Sequence, residues 1–173
     1  IRINPTTDFA DMCGSVMTTL HASNASTSLT ERQRREAEYY QQYAQINAVQ
    51  EVDFCAVTSA HRQPWSPYWF VCGLVRDAYR DSSQRLLDFG CGRGVAGVTF
   101  AKLGYQVEGF DVSDQNITVA RRLAEKYGFA QECHFQTGTA EKLNYPDNHF
   151  DVIVGLDILH HVEVEQAMHE VRR

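Results

Sequence analysis

The stretch Arg85-Leu-Leu-Asp-Phe-Gly-Cys-Gly-Arg-Gly94 constrains the fold more than any other part of the chain. Leu86, Leu87 and Phe89 read as a short buried strand, and Gly90, Gly92 and Gly94 as a tight turn. Val95, Val98 and Ala101 then recur at helical spacing, so a helix opens directly after the turn. Glycines let the backbone come close to a bound molecule. The free N–H groups at a helix start favour an acceptor or an anion. Asp88, just ahead of the first glycine, changes that expectation. A carboxylate there repels a phosphate and suits a cation or hydroxyl donors.

Beyond this stretch, strands and helices alternate. A second strand is predicted over Gln106–Asp111, and a helix capped by Ser113 runs to Tyr127 and stops at Gly128. A third strand covers Glu132–Thr137, and residues 138–143 form a turn or short helix. A fourth, nearly all-apolar strand spans Phe150–Leu156, and a last helix spans Glu163–Arg172. This alternation predicts βαβ units with right-handed crossovers and a parallel sheet, hence an α/β fold.

The N-terminal half has a different character. Residues 1–29 are polar, rich in Ser, Thr and Asn, and read as poorly ordered or loosely docked. Thr30 and Gln33 form a capping box for a helix from Glu31 to about Val49, with Ala37, Tyr40, Tyr43, Ala44 and Asn47 on one face. Its Gln-, Glu- and Arg-rich face is expected to meet solvent. Residues 51–67 read as irregular, with Pro64 and Pro67 as breakers, and Pro67 opens a helix to about Tyr79. Trp65, Tyr68, Trp69 and Phe70 there either line an acceptor pocket or pack into the core. The expected organisation is a polar segment over 1–29, a helical cap over 30–84 and a ligand-binding domain over 85–173.

Composition removes several classes. The net charge is −6, and no basic block occurs beyond Arg32–Arg35, which argues against a nucleic-acid partner. The five cysteines are odd in number and widely spaced, and none forms a CxxC pair. That argues against a disulfide framework or a zinc site, so no metal is expected and a reducing, cytoplasmic setting is. No apolar run reaches the length of about 18 residues that a spanning helix needs.

An open parallel sheet binds ligands at the carboxyl ends of its strands. Asp88 with the glycine loop, Asp111, Thr139–Glu141 and Gly155–His161 all fall at such ends and predict one crevice. A carboxylate at Asp111 can accept hydrogen bonds from ribose hydroxyls. Two ligand classes share that feature. Gly92-x-Gly94-x-x-Gly97 matches the dinucleotide fingerprint, which makes a NAD-dependent oxidoreductase one reading. The other ligand is S-adenosylmethionine, which has a ribose, an ammonium and a sulfonium but no phosphate. Asp88 favours the methyl donor, because a pyrophosphate needs the opposite charge there.

Leu87-Asp-Phe-Gly-Cys-Gly-Arg-Gly94 resembles the first motif of class I S-adenosylmethionine-dependent methyltransferases. Gly109-Phe-Asp-Val-Ser113 is similar to that family's second-strand acidic motif. Gly138-Thr-Ala-Glu-Lys-Leu143 with Pro146–Val154, and then Leu156–Val162, resemble the segments around its third and fourth strands. The wording is closest to the small-molecule, ubiquinone/menaquinone-biosynthesis-like branch, and the likeness covers about residues 85–173. It implies a Rossmann-like sheet in the order 3-2-1-4 and methyl transfer to oxygen, carbon or sulfur of a small molecule, leaving S-adenosylhomocysteine. It also implies that Asp88, Gly90, Cys91 and Gly92 surround the methionine part of the donor, with Leu156 backbone nearby. Asp111 then takes the ribose, Val112 packs on the adenine, and Ala140 offers backbone to its edge. Thr139 stands where many relatives have an acidic residue, so the adenine amino group falls to Thr139 or Glu141. The tyrosines of the N-terminal helix could close over the donor, as that helix often does in relatives.

His160 and His161 are the candidate catalytic groups. In helical geometry Asp157 and His161 share a face, so an oriented general base is expected there. The order 3-2-1-4 leaves the fourth strand as an edge. Either further chain or a partner, such as a second copy, is expected to cover it, and a longer parent protein is the preferred expectation. A non-catalytic module that binds the methyl donor is the remaining alternative.

Overall fold

The structure, a computed structural model, describes residues 29–46, 51–59 and 65–173, and for 41–46 the backbone alone. The expectations for residues 1–28, for the helix end at Val49, for Asn47 and Pro64, and for the side chains of Tyr43 and Ala44 lie outside the described residues.

The helices and strands follow one another as α1 (Glu31–Ile46), α2 (Cys55–Thr58), α3 (Pro67–Ala78), β1 (Arg85–Phe89), α4 (Val95–Ala101), β2 (Gln106–Asp111), α5 (Asp114–Tyr127), β3 (Cys133–Thr137), β4 (Val152–Val154) and α6 (Val164–Val171). The four strands form one sheet in the order β3-β2-β1-β4, all parallel. This is the strand order that the resemblance implied.

Alternation along β1 serves two cores. Leu86 joins Val107, Cys133 and Val154 on one face, where Val98 and Phe100 of α4 and Ile117, Ala120 and Leu123 of α5 pack. Leu87 and Phe89 join Phe110 on the other face, with Val162, just ahead of α6, and Ala167 of α6. Leu86, Leu87 and Phe89 are all buried, so β1 is covered on both faces, as the centre of a parallel sheet requires.

Local signals set the element ends. The Thr30 Oγ1 accepts from Gln33 N at 3.3 Å while Gln33 Oε1 accepts from Thr30 N at 2.9 Å, completing the expected capping box. Ser66 and Ser113 cap α3 and α5 through their hydroxyls, and Gly128 ends α5 with φ of 78°.

Three expectations are corrected. The fourth strand is confined to Val152–Val154. At its start the side chain of Asp151 turns aside to accept from Arg85 N at 2.9 Å, and beyond its end Asp157 takes φ of 54°, which no ladder accommodates. Residues 51–67 are not wholly irregular, because α2 forms there and buries Ala56 and Val57. The segment around Asp157–His161 is not one helix, because Leu159–His161 makes a single 3-10 turn after the positive-φ residue. Among the described residues no helix is long and apolar enough to cross a membrane.

Ser113 is buried and its hydroxyl accepts from Asn116 N at 3.3 Å. Replacing it with alanine removes the cap of α5 at a cost of about 1 kcal/mol. A Ser113→Ala protein should therefore melt roughly 2–4 °C lower in a thermal scan, and an unchanged midpoint would show that the cap contributes nothing.

Candidate functional site

The carboxyl ends of β1, β2 and β3, the segment after β4, and α1 enclose one cleft with about 800 Å³ of empty space, counted to its open side. The glycine loop forms its floor. Gly90 is held against Ile158, and a Cβ added there would come within 2.6 Å of the Ile158 side chain. Gly92 differs, because a Cβ there would meet nothing within 4 Å. Its bare backbone faces the cleft, where a ligand can approach closely.

Asp111 fastens this loop. Its Oδ2 accepts from Gly92 N at 3.1 Å, and its Oδ1 accepts from Ser113 N at 2.9 Å and Asn116 Nδ2 at 3.1 Å. A carboxylate offers about four acceptor positions, so these bonds leave room for a ligand hydroxyl. Burial pushes its pKa up, opposed by those same hydrogen bonds. Asn116 also lines the cleft. Sequence reasoning missed it, although its place one turn into a Ser-capped helix, just after an acidic strand end, was an available signal.

Asp88 and Cys91 do not line the cleft. Both are buried beneath the loop. Asp88 accepts from the N–H of Gly97. The cap residue of α4 is Gly94, which has no side chain to offer. Asp88 thus caps α4 from the neighbouring strand, satisfying a donor that the helix start leaves unpaired. Its Oδ2 is buried without a hydrogen-bond partner, and burial pushes its pKa up to about 7.

Val112, Gly138, Thr139 and Ala140 form the wall beyond Asp111, and Leu156 faces them from the segment after β4. Glu141 also lies on the wall, but its oxygens are engaged. Oε2 accepts from Gln33 Nε2 at 2.9 Å, Oε1 accepts from Glu163 N at 3.0 Å, and Arg32 stands 3.6 Å away. Glu141 joins α1 to the start of α6, which leaves Thr139 as the less committed of the two side chains expected near an adenine.

The face of α1 toward the cleft presents Gln33, Glu36 and Tyr40, one and two turns apart. Two of the polar residues of this helix thus face the cleft and not bulk solvent. An amphipathic pattern cannot distinguish a polar face that meets water from one that roofs a polar cleft. The Tyr40 phenol is pushed up by burial first and by Glu36 next.

His161 lines the cleft and His160 does not. His161 Nδ1 is paired with Glu36 Oε1, and Nε2 lies 3.4 Å from the Tyr40 hydroxyl. The partner that orients His161 is therefore Glu36, not Asp157. Asp157 still lines the cleft from its left-handed backbone position. The exposed ring of His160 lies against that of His161 with centroids 3.8 Å apart. None of Trp65, Tyr68, Trp69 or Phe70 lines this cleft. Tyr68 and Trp69 pack against the core, whereas Trp65 and Phe70 are exposed.

The charge of the cleft decides between ligand classes. Among the described residues, four carboxylates line it, those of Glu36, Asp111, Glu141 and Asp157, and no lysine or arginine does. That surround attracts an ammonium or a sulfonium and repels a pyrophosphate. Among the described residues, no cluster of His, Cys, Asp and Glu could hold a metal ion.

Residues 87–173, half of the chain, match the methyltransferase-domain family. The chain belongs to that family. Its sheet order and its relatives place it among the class I, S-adenosylmethionine-dependent methyltransferases. It is 36% identical over 104 residues to a ubiquinone biosynthesis O-methyltransferase of Methylocella silvestris, covering 58% of this chain and 40% of that protein. It is 33% identical over 101 residues to the uncharacterized methyltransferase YcgJ of Bacillus subtilis, again covering 40% of it. The crystal structure of YcgJ superposes with a TM-score of 0.54, covering 58% of this chain and 43% of that one. Two wider matches follow. The geranyl diphosphate C-methyltransferase of Streptomyces coelicolor, solved with S-adenosyl-L-homocysteine, gives a TM-score of 0.63 over 84% of this chain and 61% of its own. At 16% identity it speaks for the fold alone. The [4+2]-cyclase SpnF gives 0.62 at 25% identity over 81% of this chain and 55% of its own. The chain thus spans well under two thirds of the curated relatives it matches.

The raised pKa of Asp88 makes the stability of this methyltransferase domain pH-dependent. The carboxyl ionises near 3.8 in the unfolded chain and near 7 when folded. Between those values the folded state holds a proton that the unfolded state has lost, so stability falls as pH rises through the window, by up to about 4 kcal/mol. Urea unfolding at pH 5 and pH 8 should show the upper part of this loss, about 3 kcal/mol, in the parent protein and a much smaller one in Asp88→Asn. Equal losses in both would mean that Asp88 does not titrate there.

Proposed function

We propose that this chain binds S-adenosylmethionine in the acidic cleft and transfers its methyl group to oxygen, carbon or sulfur of a small molecule. The observation that carries this reading is the combination, among the described residues, of a bare glycine floor with four lining carboxylates and no basic residue other than His161. A nicotinamide dinucleotide would bring its phosphates to those carboxylates, so the oxidoreductase alternative has no support in the charge of the site. When bound, S-adenosylmethionine supplies a methyl group on a positively charged sulfur.

The residues present fit that molecule. Asp111 has acceptor capacity left for ribose hydroxyls, with Asn116 holding its orientation. Val112 and Ala140 supply apolar contact for an adenine, and Thr139 a polar side chain at its edge. The Gly90–Gly92 backbone and Leu156 border the methionine end. Asp88 acts from below, by holding the start of α4 and the loop that precedes it. Glu36, Asp111 and Asp157 provide a negative surround for the ammonium and the sulfonium. The remaining task is alignment of an acceptor and exclusion of water, for which Gln33, Glu36 and Tyr40 of α1 supply a roof.

The acceptor reading draws on two supports. Ubiquinone biosynthesis O-methyltransferases stand among the relatives. The segment after β4, Gly155-Leu-Asp-Ile158, lacks the Asn/Asp-Pro-Pro-Tyr/Phe sequence common in amine-methylating DNA or glutamine enzymes. The organisation consistent with this function is a polar segment over 1–29, a cap over 30–84 and the donor-binding domain over 85–173. We further propose a cytoplasmic protein whose β4 edge pairs with additional chain or with a second copy.

Calorimetric titration tests the reading directly. S-adenosylmethionine and S-adenosylhomocysteine should bind and NAD should not, while NAD binding without the other two would falsify it. Asp111→Ala should weaken S-adenosylhomocysteine at least about tenfold, because a hydrogen bond to a charged group is worth roughly 1.5–3 kcal/mol. Unchanged affinity in that variant would place the ribose elsewhere.

A further inference from the structure

The proposed function leaves open whether the acceptor must lose a proton. The contact between Glu36 and His161 bears on this. We propose that Glu36 is a positioning residue that presents His161 Nε2 as the proton acceptor for a hydroxyl-bearing substrate. This inference rests on the methyltransferase reading and narrows its acceptor to one that gives up an O–H proton.

The geometry is that of an oriented base. Glu36 Oε1 sits against Nδ1 of His161, so the Nδ1–H donates to the carboxylate. A neutral imidazole protonated at Nδ1 carries its lone pair on Nε2. That nitrogen faces the Tyr40 hydroxyl at 3.4 Å, too long for a strong hydrogen bond. Glu36, Tyr40 and His161 all line the donor cleft, so Nε2 lies in the space that a donor and an acceptor must share. The approach of the Tyr40 hydroxyl shows that an O–H group can reach this nitrogen inside the cleft.

Only some acceptors need such a base. An alcohol or phenol is a weak nucleophile while it holds its proton, whereas a thiol is partly ionised near neutral pH. In the step proposed, the acceptor oxygen bonds to the methyl carbon as the carbon–sulfur bond of the donor breaks. The electron pair of that bond stays on sulfur, which becomes neutral. The hydroxyl proton passes to Nε2, and the imidazolium so formed lies against the Glu36 carboxylate. One positive charge leaves sulfur and one appears on His161, so charge balances within the cleft. Glu36 thus has two consequences, a fixed tautomer before transfer and a counter-charge after it.

Nitrogen-15 spectra of histidine-labelled protein saturated with S-adenosylhomocysteine test this, with His161 assigned by loss of its signals in His161→Asn. The parent should show a protonated Nδ1 and an unprotonated Nε2. Glu36→Gln, which still accepts from Nδ1, should keep that pattern, and Glu36→Leu should lose it. Adding 4-methylphenol should shift the Nε2 signal, and its methyl ether, which has no O–H, should not. A proton on Nε2 in the parent, a Glu36→Leu spectrum identical to the parent's, or equal responses to the phenol and the ether would each overturn the inference. Calorimetry of S-adenosylhomocysteine on the same samples keeps the two readings apart. Absent binding would sink the proposed function, and normal binding with the wrong tautomer would sink this inference alone.

Discussion

Three hydrogen bonds to one carboxylate organise the cleft. Asp111 ends β2, and from there it holds Gly92 of the loop after β1 and both Ser113 and Asn116 at the start of α5. Two neighbouring strands and a helix are thereby fixed relative to one another at the mouth of the sheet. The bonds lie in a part-buried setting where each is stronger than in water and where a missing partner would be costly. Cys91 N adds a backbone bond to Phe110 O at 2.8 Å, which keeps the loop flat against the end of β2. The floor of the cleft is therefore rigid for the same reason that Asp111 is positioned to meet a ligand. Structure and binding draw on one group, and altering it affects both.

The strands and most helix boundaries were legible in the sequence because each rests on local chemistry, whereas the strand order came from the family resemblance. Leu86, Leu87 and Phe89 declare a buried strand, Ser113 a helix start and Gly128 a helix end. What was not legible depends on contacts across the chain. The place of Asp88 ahead of the glycines does not show that it also caps a helix. Its partner is Gly97 on the following helix, and that helix lacks a capping side chain of its own. Asp157 and His161 have the spacing of helical neighbours, yet a positive φ at Asp157 separates them. Glu36 lies far from His161 in the chain, and nothing in either local pattern announces that they meet.

Family and activity rest on different grounds here. The family follows from motifs and fold, and the fold also carries a [4+2]-cyclase at a similar level of likeness. A fold hosts chemistry without specifying it. What argues for methyl transfer is the sign of the field in the cleft. The glycine pattern Gly92-x-Gly94-x-x-Gly97 is compatible with a dinucleotide, but the side chains brought around it are acidic and come from α1, β2 and the segments after β3 and β4. Charge gathered from four places in the chain is a stronger discriminator than a spacing of three glycines.

That charge has a cost which sharpens its meaning. Burial raises the pKa of Asp88 and of Asp111, so each carboxylate is less comfortable ionised than it would be in water. Natural cores avoid such groups unless something compensates, and perturbed carboxylates gather where a site needs them. Hydrogen bonds offset part of the penalty at Asp111, and Gly97 offsets part at Asp88. Donors from a ligand beside Asp111, such as ribose hydroxyls, would offset more of it. The buried carboxylate that costs stability at the end of β2 is thus the same group that is held ready for a ligand's donors.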